Sequence, residues 1–256
     1  MQTDKQLHVI DHLDELRKRL IVTAIAFLLF FIIGFIYVEP IYNWFVQDLD
    51  YKLMVLGPSD IIRIYFMIAG LIAIAGTIPV MALQLWLFVK PALKPFERKK
   101  VLSYIPALFV LFIGGLCFGY FIIFPMILKF LSNLGGDLFI TSYTVDKYFS
   151  FLMNITLPFA ILFELPVVVM FLTSIGIINP FILAKIRKYA YFVLFIIAAF
   201  ITPPDLVSEI LVTIPLLLLY EISISLSKFI YKKRMKRQEA AEAMLEEEDK
   251  LEEATD

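Results

Sequence analysis

The sequence predicts an all-α polytopic membrane protein of six transmembrane helices, the last two short, with both termini on the cytoplasmic side. Three observations predict it. Of 256 residues, 61% are hydrophobic and the mean hydropathy is +0.84, whereas soluble domains run near about 45–50% apolar. One globular core cannot hide that much apolar surface behind a polar exterior. The apolar residues also gather into runs separated by charged or proline-bearing breaks. Finally, lysine and arginine concentrate on alternate sides of those runs, the asymmetry that sets orientation in a membrane.

A membrane helix needs about 20 apolar residues to cross about 30 Å of hydrocarbon. The first run, 20–38, is closed by Glu39-Pro40, and the second, 64–89, by Lys90-Pro91. The third is 101–128 and the fourth 151–172. All four suffice, and the second and third are long enough to tilt. The pattern then changes to runs of thirteen (189–201) and fifteen residues (206–220), which as helices reach only about 20 and 22 Å. Between them stands Thr202-Pro203-Pro204-Asp205. The prolines block helix continuation and the aspartate can cap the next helix. One bent segment that does not cross competes here with a pair of short spans whose polar tip needs water or thinned bilayer above it. Charge placement favours the pair. With six spans and an inner N-terminus, 19 of 23 basic residues lie inside, leaving Lys52, Arg63, Lys129 and Lys147 outside.

The start of the chain is charged and mixed, too long and too acidic for a cleavable signal peptide, so the first apolar run is expected to stay as an anchor. Two outer segments, 39–63 and 129–150, are substantial, and the second carries a Gly-Gly break after which a short interfacial helix is expected. Residues 1–232 form the membrane domain, and 233–256 a charged cytoplasmic tail, disordered or helical. Nine acids and one lysine in 239–256 give the tail a net charge of −8, against +7 for the body. The lone Cys117 excludes a disulfide within the chain. No internal repeat is evident.

No catalytic set emerges: the chain lacks G-x-S-x-G, a Walker loop, H-E-x-x-H and G-x-G-x-x-G. An enzyme is not expected. His8, Asp11, His12 and Glu15 have metal-ligand spacing on a helix, but the pattern is not a zinc motif, and no metal is expected.

Three acids carry most of the remaining information. Glu164 is the fourteenth of 22 residues in the fourth run, about 20 Å from its outer end. Facing lipid, a carboxylate there costs several kcal/mol. Pro158 and Pro166 flank it and bend the helix. Glu164 is then a packing contact bonded to a neighbouring helix, a polar spot lining a groove, or a proton carrier. Gln84 and Asn154 are further polar groups that can face the same interior. Glu15 in "HLDELRKRL" can form an i,i+4 pair with Arg19, worth a few tenths of a kcal/mol. Glu97 in "KPALKPFERKK" balances local charge among five basic residues. Both lie at the inner rim, and two separated carboxylates there suit two guanidinium groups, whose planar forks bond carboxylates bidentately.

Several blocks carry a resemblance: "HLDELRKRL", "QLWLFVKPALKPFERKK", "GYFIIFP", "LFELPVV", "KIRKYAY" and "ITPPDLVSE" followed by "IPLLLLYEI". Together, from about residue 10 to 230 and in family order, they resemble the TatC family, the polytopic subunit of the twin-arginine protein translocase. The resemblance implies a concave bundle in the cell inner (cytoplasmic) membrane. It implies binding of twin-arginine signal peptides of folded precursors at the cytoplasmic face, and export driven by the proton-motive force without a cofactor. The implied partners are single-span subunits of the TatA and TatB kind and further copies of the chain in a receptor complex; nucleic acid is not among them. By motif, Glu15 and Glu97 match carboxylates that contact the arginine pair, with Arg17, Phe88 and Leu93 in the same recognition region. Glu164 matches the buried glutamate of the concave face, linked to partner docking, and Gln84 falls in the same groove. Tyr120 and Asp205 match further positions of functional weight. The rival reading is a proton-coupled small-solute transporter with Glu164 as titrating site; a passive assembly scaffold is a third.

Overall fold

The computed structural model describes residues 2–47, 49, 52–90, 104–135, 143–203 and 205–253. Ten helices are described: α1 (Gln2–Ile36), α2 (Val38–Val46), α3 (Pro58–Val89), α4 (Tyr104–Phe118), α5 (Phe124–Gly135), α6 (Val145–Leu162), α7 (Leu165–Ser174), α8 (Pro180–Lys185), α9 (Arg187–Ile201) and α10 (Leu206–Glu253). A π-helical turn, Gly119–Ile123, joins α4 to α5. The all-α, multi-span architecture read from the sequence is the one observed among the described residues. Five helical segments are long and apolar enough to cross a membrane: Leu13–Ile36, Pro58–Val89, Tyr104–Leu134, Val145–Ser174 and Leu206–Lys236. Only 6% of the most apolar stretch of the first is buried inside the protein, so lipid is the natural cover for its side chains. The sixth segment, α9, has fifteen residues and reaches about 22 Å.

Small residues set the helix spacing. A Cβ on Gly115 would lie 2.7 Å from the Ala160 backbone, and one on Gly119 would lie 2.8 Å from that of Thr156. The α4–π segment and α6 therefore cross at two small-residue pairs, each four residues apart, which lets the backbones touch where lipid supplies no hydrophobic drive. Likewise, the Phe30 ring of α1 fills the space where a Gly76 side chain would stand on α3.

Helix ends explain one end of the bundle. Asp60 accepts the Leu56 and Gly57 N–H groups at 3.1 and 3.2 Å and fixes the start of α3. The segments before α3 and before α6 are pinned to each other. Met54 N–H donates to the Tyr143 carbonyl (3.1 Å), Val145 N–H to the Met54 carbonyl (2.9 Å), and Arg63 pairs with Asp146 at 3.1 Å. Beneath them lies a continuous core that includes Val38, Ile64, Phe124, Phe149, Leu152 and Ile201. The short interfacial helix expected after Gly-Gly falls on residues 136–142, outside the described residues; α6 begins at Val145, and Thr144 caps it by accepting the Lys147 N–H.

One expectation is corrected. The last helix is not short: α10 runs unbroken from Leu206 to Glu253. Glu221 and the serines after it look like the end of an apolar run, yet Ser223, Ile224 and Ser227 are buried. Ser227 and Thr173 share a 2.7 Å hydrogen bond between α10 and α7, which satisfies both hydroxyls inside the bundle. The α9–α10 turn is built as its sequence suggests. Asp205 Oδ1 accepts the Ser208 N–H at 2.7 Å, an N-cap on α10. Asp205→Ala should lower stability by about 1 kcal/mol, read as a lower melting temperature in detergent and faster amide exchange at 206–209. Unchanged exchange there would contradict the cap.

Candidate functional site

Glu164 stands in the break between α6 and α7. Its own N–H donates to the Ile161 carbonyl (3.1 Å) and its carbonyl accepts from Val168 (3.0 Å). Pro166, two residues on, has no N–H to offer the preceding turn, and Pro158 lies inside α6. The break turns the carboxyl into a cavity of about 690 Å³ between α3, α4 and α7. Ile78, Met81, Trp86, Tyr104 and Phe171 line it, and among the described residues Glu164 is the one charged residue in its wall. Both carboxylate oxygens are buried without a hydrogen-bond partner among the described residues. A buried polar group left unpaired costs about 1–3 kcal/mol, more when charged. The sequence-level reading of Glu164 as a packing contact bonded to a neighbouring helix finds no such bond among the described residues.

A second constellation lies across α3. Arg19 on α1 donates through Nη2 to Glu15 Oε1 at 3.0 Å and through Nη1 to Gln84 Oε1 at 3.3 Å. The expected i,i+4 pair is therefore present, and Gln84 completes it from the neighbouring helix. Only Oε1 of Glu15 is engaged among the described residues. The carboxylate is partly exposed, so Oε2 remains open to an incoming donor. Below the pair lies an apolar cavity of about 400 Å³ between α1 and α3, lined by Leu20, Thr23, Phe27, Met81, Leu85 and Phe88.

Gln84 lines this cavity and Glu164 the other, and Met81 and Leu85 are shared by both walls. Gln84 points to the α1 side of α3. Phe88 lines the cavity with Gln84 and Arg19, and Arg17 is exposed on α1. Leu93 and Glu97 lie outside the described residues. Lys90 sits over the Trp86 ring at 5.1 Å.

Tyr120 and Asp205 are placed elsewhere. Tyr120, on the π turn, packs with Trp44, Phe45 and Phe121 at ring separations of 5.3, 5.2 and 4.8 Å. Asp205 caps α10 at the tip of the hairpin. Neither lines the two cavities. Sequence reasoning missed the Arg63–Asp146 pair and the Arg187–Glu221 pair at 2.9 Å. Their partners are 83 and 34 residues apart, so no local spacing signals them.

A family model described as Sec-independent protein translocase protein (TatC) matches residues 11–215. TatCd of Bacillus subtilis (strain 168) is 55% identical over 239 residues, covering 93% of this chain and 99% of that protein. The TatC protein of Halalkalibacterium halodurans is 44% identical over 239 residues, covering 91% and 94%. Among solved structures, the twin-arginine translocase receptor TatC has a TM-score of 0.72 at 37% identity, over 86% of this chain and 99% of that one. The same receptor in DDM has a TM-score of 0.75 at 37% identity, over 84% and 99%.

Proposed function

Because the chain belongs to the TatC family of Sec-independent protein translocase proteins, we propose that it is the signal-recognition subunit of a twin-arginine export apparatus. In this reading six spans cross the cell inner membrane with both termini in the cytoplasm, and α9 and the start of α10 form the short hairpin. Twin-arginine signal peptides dock at the inner rim. Single-span subunits of the TatA and TatB kind assemble on the bundle, several copies of the chain join in a receptor complex, and the proton-motive force drives export of the folded cargo.

One observation supports the recognition step: Glu15, a partly exposed carboxylate, is held by Arg19, which itself lines an apolar cavity. A secretory signal joins a positive segment to an apolar one of about 7–15 residues. Glu15, with Glu97 from the α3–α4 connection, offers acceptors for two guanidinium groups, and Leu20, Phe27, Leu85 and Phe88 receive the start of the apolar segment. Arg19 and Gln84 hold Glu15 in position. Glu164 has a separate role. A single-span partner with its own polar residue satisfies the orphaned carboxyl and fills the cavity around it with apolar side chains.

Site-specific photocrosslinking separates the two roles. A crosslinker in place of Leu16 should label the signal peptide, and one in place of Val168 the single-span partner. Glu164→Ala should reduce the second product several-fold and leave the first intact. Failure of the Leu16 position to label signal peptide contradicts the docking site, and loss of both products in the variant contradicts the division of labour. Uptake of small solutes by the purified protein alone in liposomes would favour the rival transporter reading.

A further inference from the structure

Going beyond the recognition site, we propose that the corner formed by α8, the start of α9 and the stretch of α10 after Tyr220 binds the phosphate headgroup of an anionic phospholipid. Three contacts assemble this corner. The Tyr220 hydroxyl donates to the Leu183 carbonyl at 2.9 Å, Arg187 pairs with Glu221 at 2.9 Å, and the Phe181 ring meets Tyr231 edge-on at 5.8 Å. They place Lys185 and Lys188 on the same end of the bundle as Lys228 and Lys232.

All four lysines are exposed, and none is paired with a carboxylate among the described residues. Glu221, the acid at the corner, is already held by Arg187 and by the Tyr191 hydroxyl. Helix α10 continues past the corner to Glu253, so Glu239 begins about 10 Å farther along the axis than Lys232, beyond a Debye length of about 8 Å.

Apolar knobs interleave with these charges: Phe181, Tyr189 and Phe229 are 64%, 76% and 67% exposed. Water is a poor cover for three large rings. A surface of exposed aromatics among unpaired lysines suits the headgroup–acyl boundary, where rings enter the lipid and lysines reach the phosphates. Basic clusters beside a membrane helix attract anionic lipid by about 1 kcal/mol per charge near the surface, about five-fold each. The corner therefore anchors the open end of the bundle and holds the base of the hairpin at a fixed depth.

The test uses full-length protein in phosphatidylcholine vesicles with trace spin-labelled phosphatidylglycerol or spin-labelled phosphatidylcholine. The wild type should hold the phosphatidylglycerol probe at least about five-fold more strongly. Lys185→Gln, Lys188→Gln, Lys228→Gln and Lys232→Gln together should bring that preference close to unity. Lys52→Gln, Lys129→Gln and Lys147→Gln together, on the opposite side, should leave it unchanged. If the fourfold variant fails to fold, the pair Lys228→Gln and Lys232→Gln should still lower the preference measurably. No preference in the wild type, an unchanged preference in the lysine variants, or equal loss in the outer control overturns the proposal. Displacement of the probe by inorganic phosphate would identify a free-anion site and also overturn it.

Discussion

Gly115→Leu is expected to abolish accumulation of folded protein, whereas Gly114→Leu, one residue away, should be close to neutral. At Gly115 the first added carbon would stand 2.7 Å from the Ala160 backbone and 2.9 Å from the Phe159 carbonyl, while nothing lies within 4 Å of a Cβ on Gly114. A backbone atom cannot rotate aside as a side-chain tip does, so α4 must move off α6. Overpacking a well-filled site costs about 1–3 kcal/mol and sometimes more. This crossing is shared with Gly119 and continues into the core around Phe159 and Ile155, so the larger figure is expected. Melting in detergent and the yield of monodisperse protein measure it. Equal behaviour of the two variants would contradict the crossing described.

Glu15→Gln combined with Glu97→Gln should weaken binding of a twin-arginine peptide by about a hundred-fold. Glutamine keeps the shape and one acceptor but loses the charge. Hydrogen bonds to charged groups contribute about 1.5–3 kcal/mol each. Glu15 is about one-third exposed, so water screens it and the lower figure applies. Two such losses sum to about 3 kcal/mol, about a hundred-fold in Kd. The Glu15→Gln variant also frees Arg19 from its ion pair, which leaves a competing cation at the docking point. Added salt should weaken the wild type more than the variant, because only the wild type relies on full charges. Isothermal titration at two ionic strengths reads both effects.

Much of the architecture was legible because the strongest signal, apolar length, is one-dimensional. The Asp205 cap and the Glu15–Arg19 pair follow from local spacing. What the sequence hid is rotational. A membrane helix is apolar on every side, so periodicity does not say which face meets protein and which meets lipid. Gln84 was therefore legible as a polar group on α3, but its hydrogen bond to Arg19 on α1 was not. The extension of α10 was hidden because Ser223 and Ser227 look polar in sequence, and the Thr173 hydroxyl that accommodates one of them is 54 residues away. The small residues Gly115 and Gly119 were visible as letters, but their partners Thr156 and Ala160 were not. The proline-flanked break at Glu164 was legible as a bend; that it aims an unpartnered carboxyl into a cavity is tertiary information.

The central claim is that carboxylates at the inner rim grip paired guanidinium groups. A double-mutant cycle tests it most directly: peptides bearing Arg-Arg or Gln-Gln, titrated against the wild type and against the Glu15→Gln, Glu97→Gln protein. The account predicts strong coupling, with the peptide change costing much more in the wild type than in the variant. Additive costs, with no coupling between the two changes, would show that the arginines are read elsewhere.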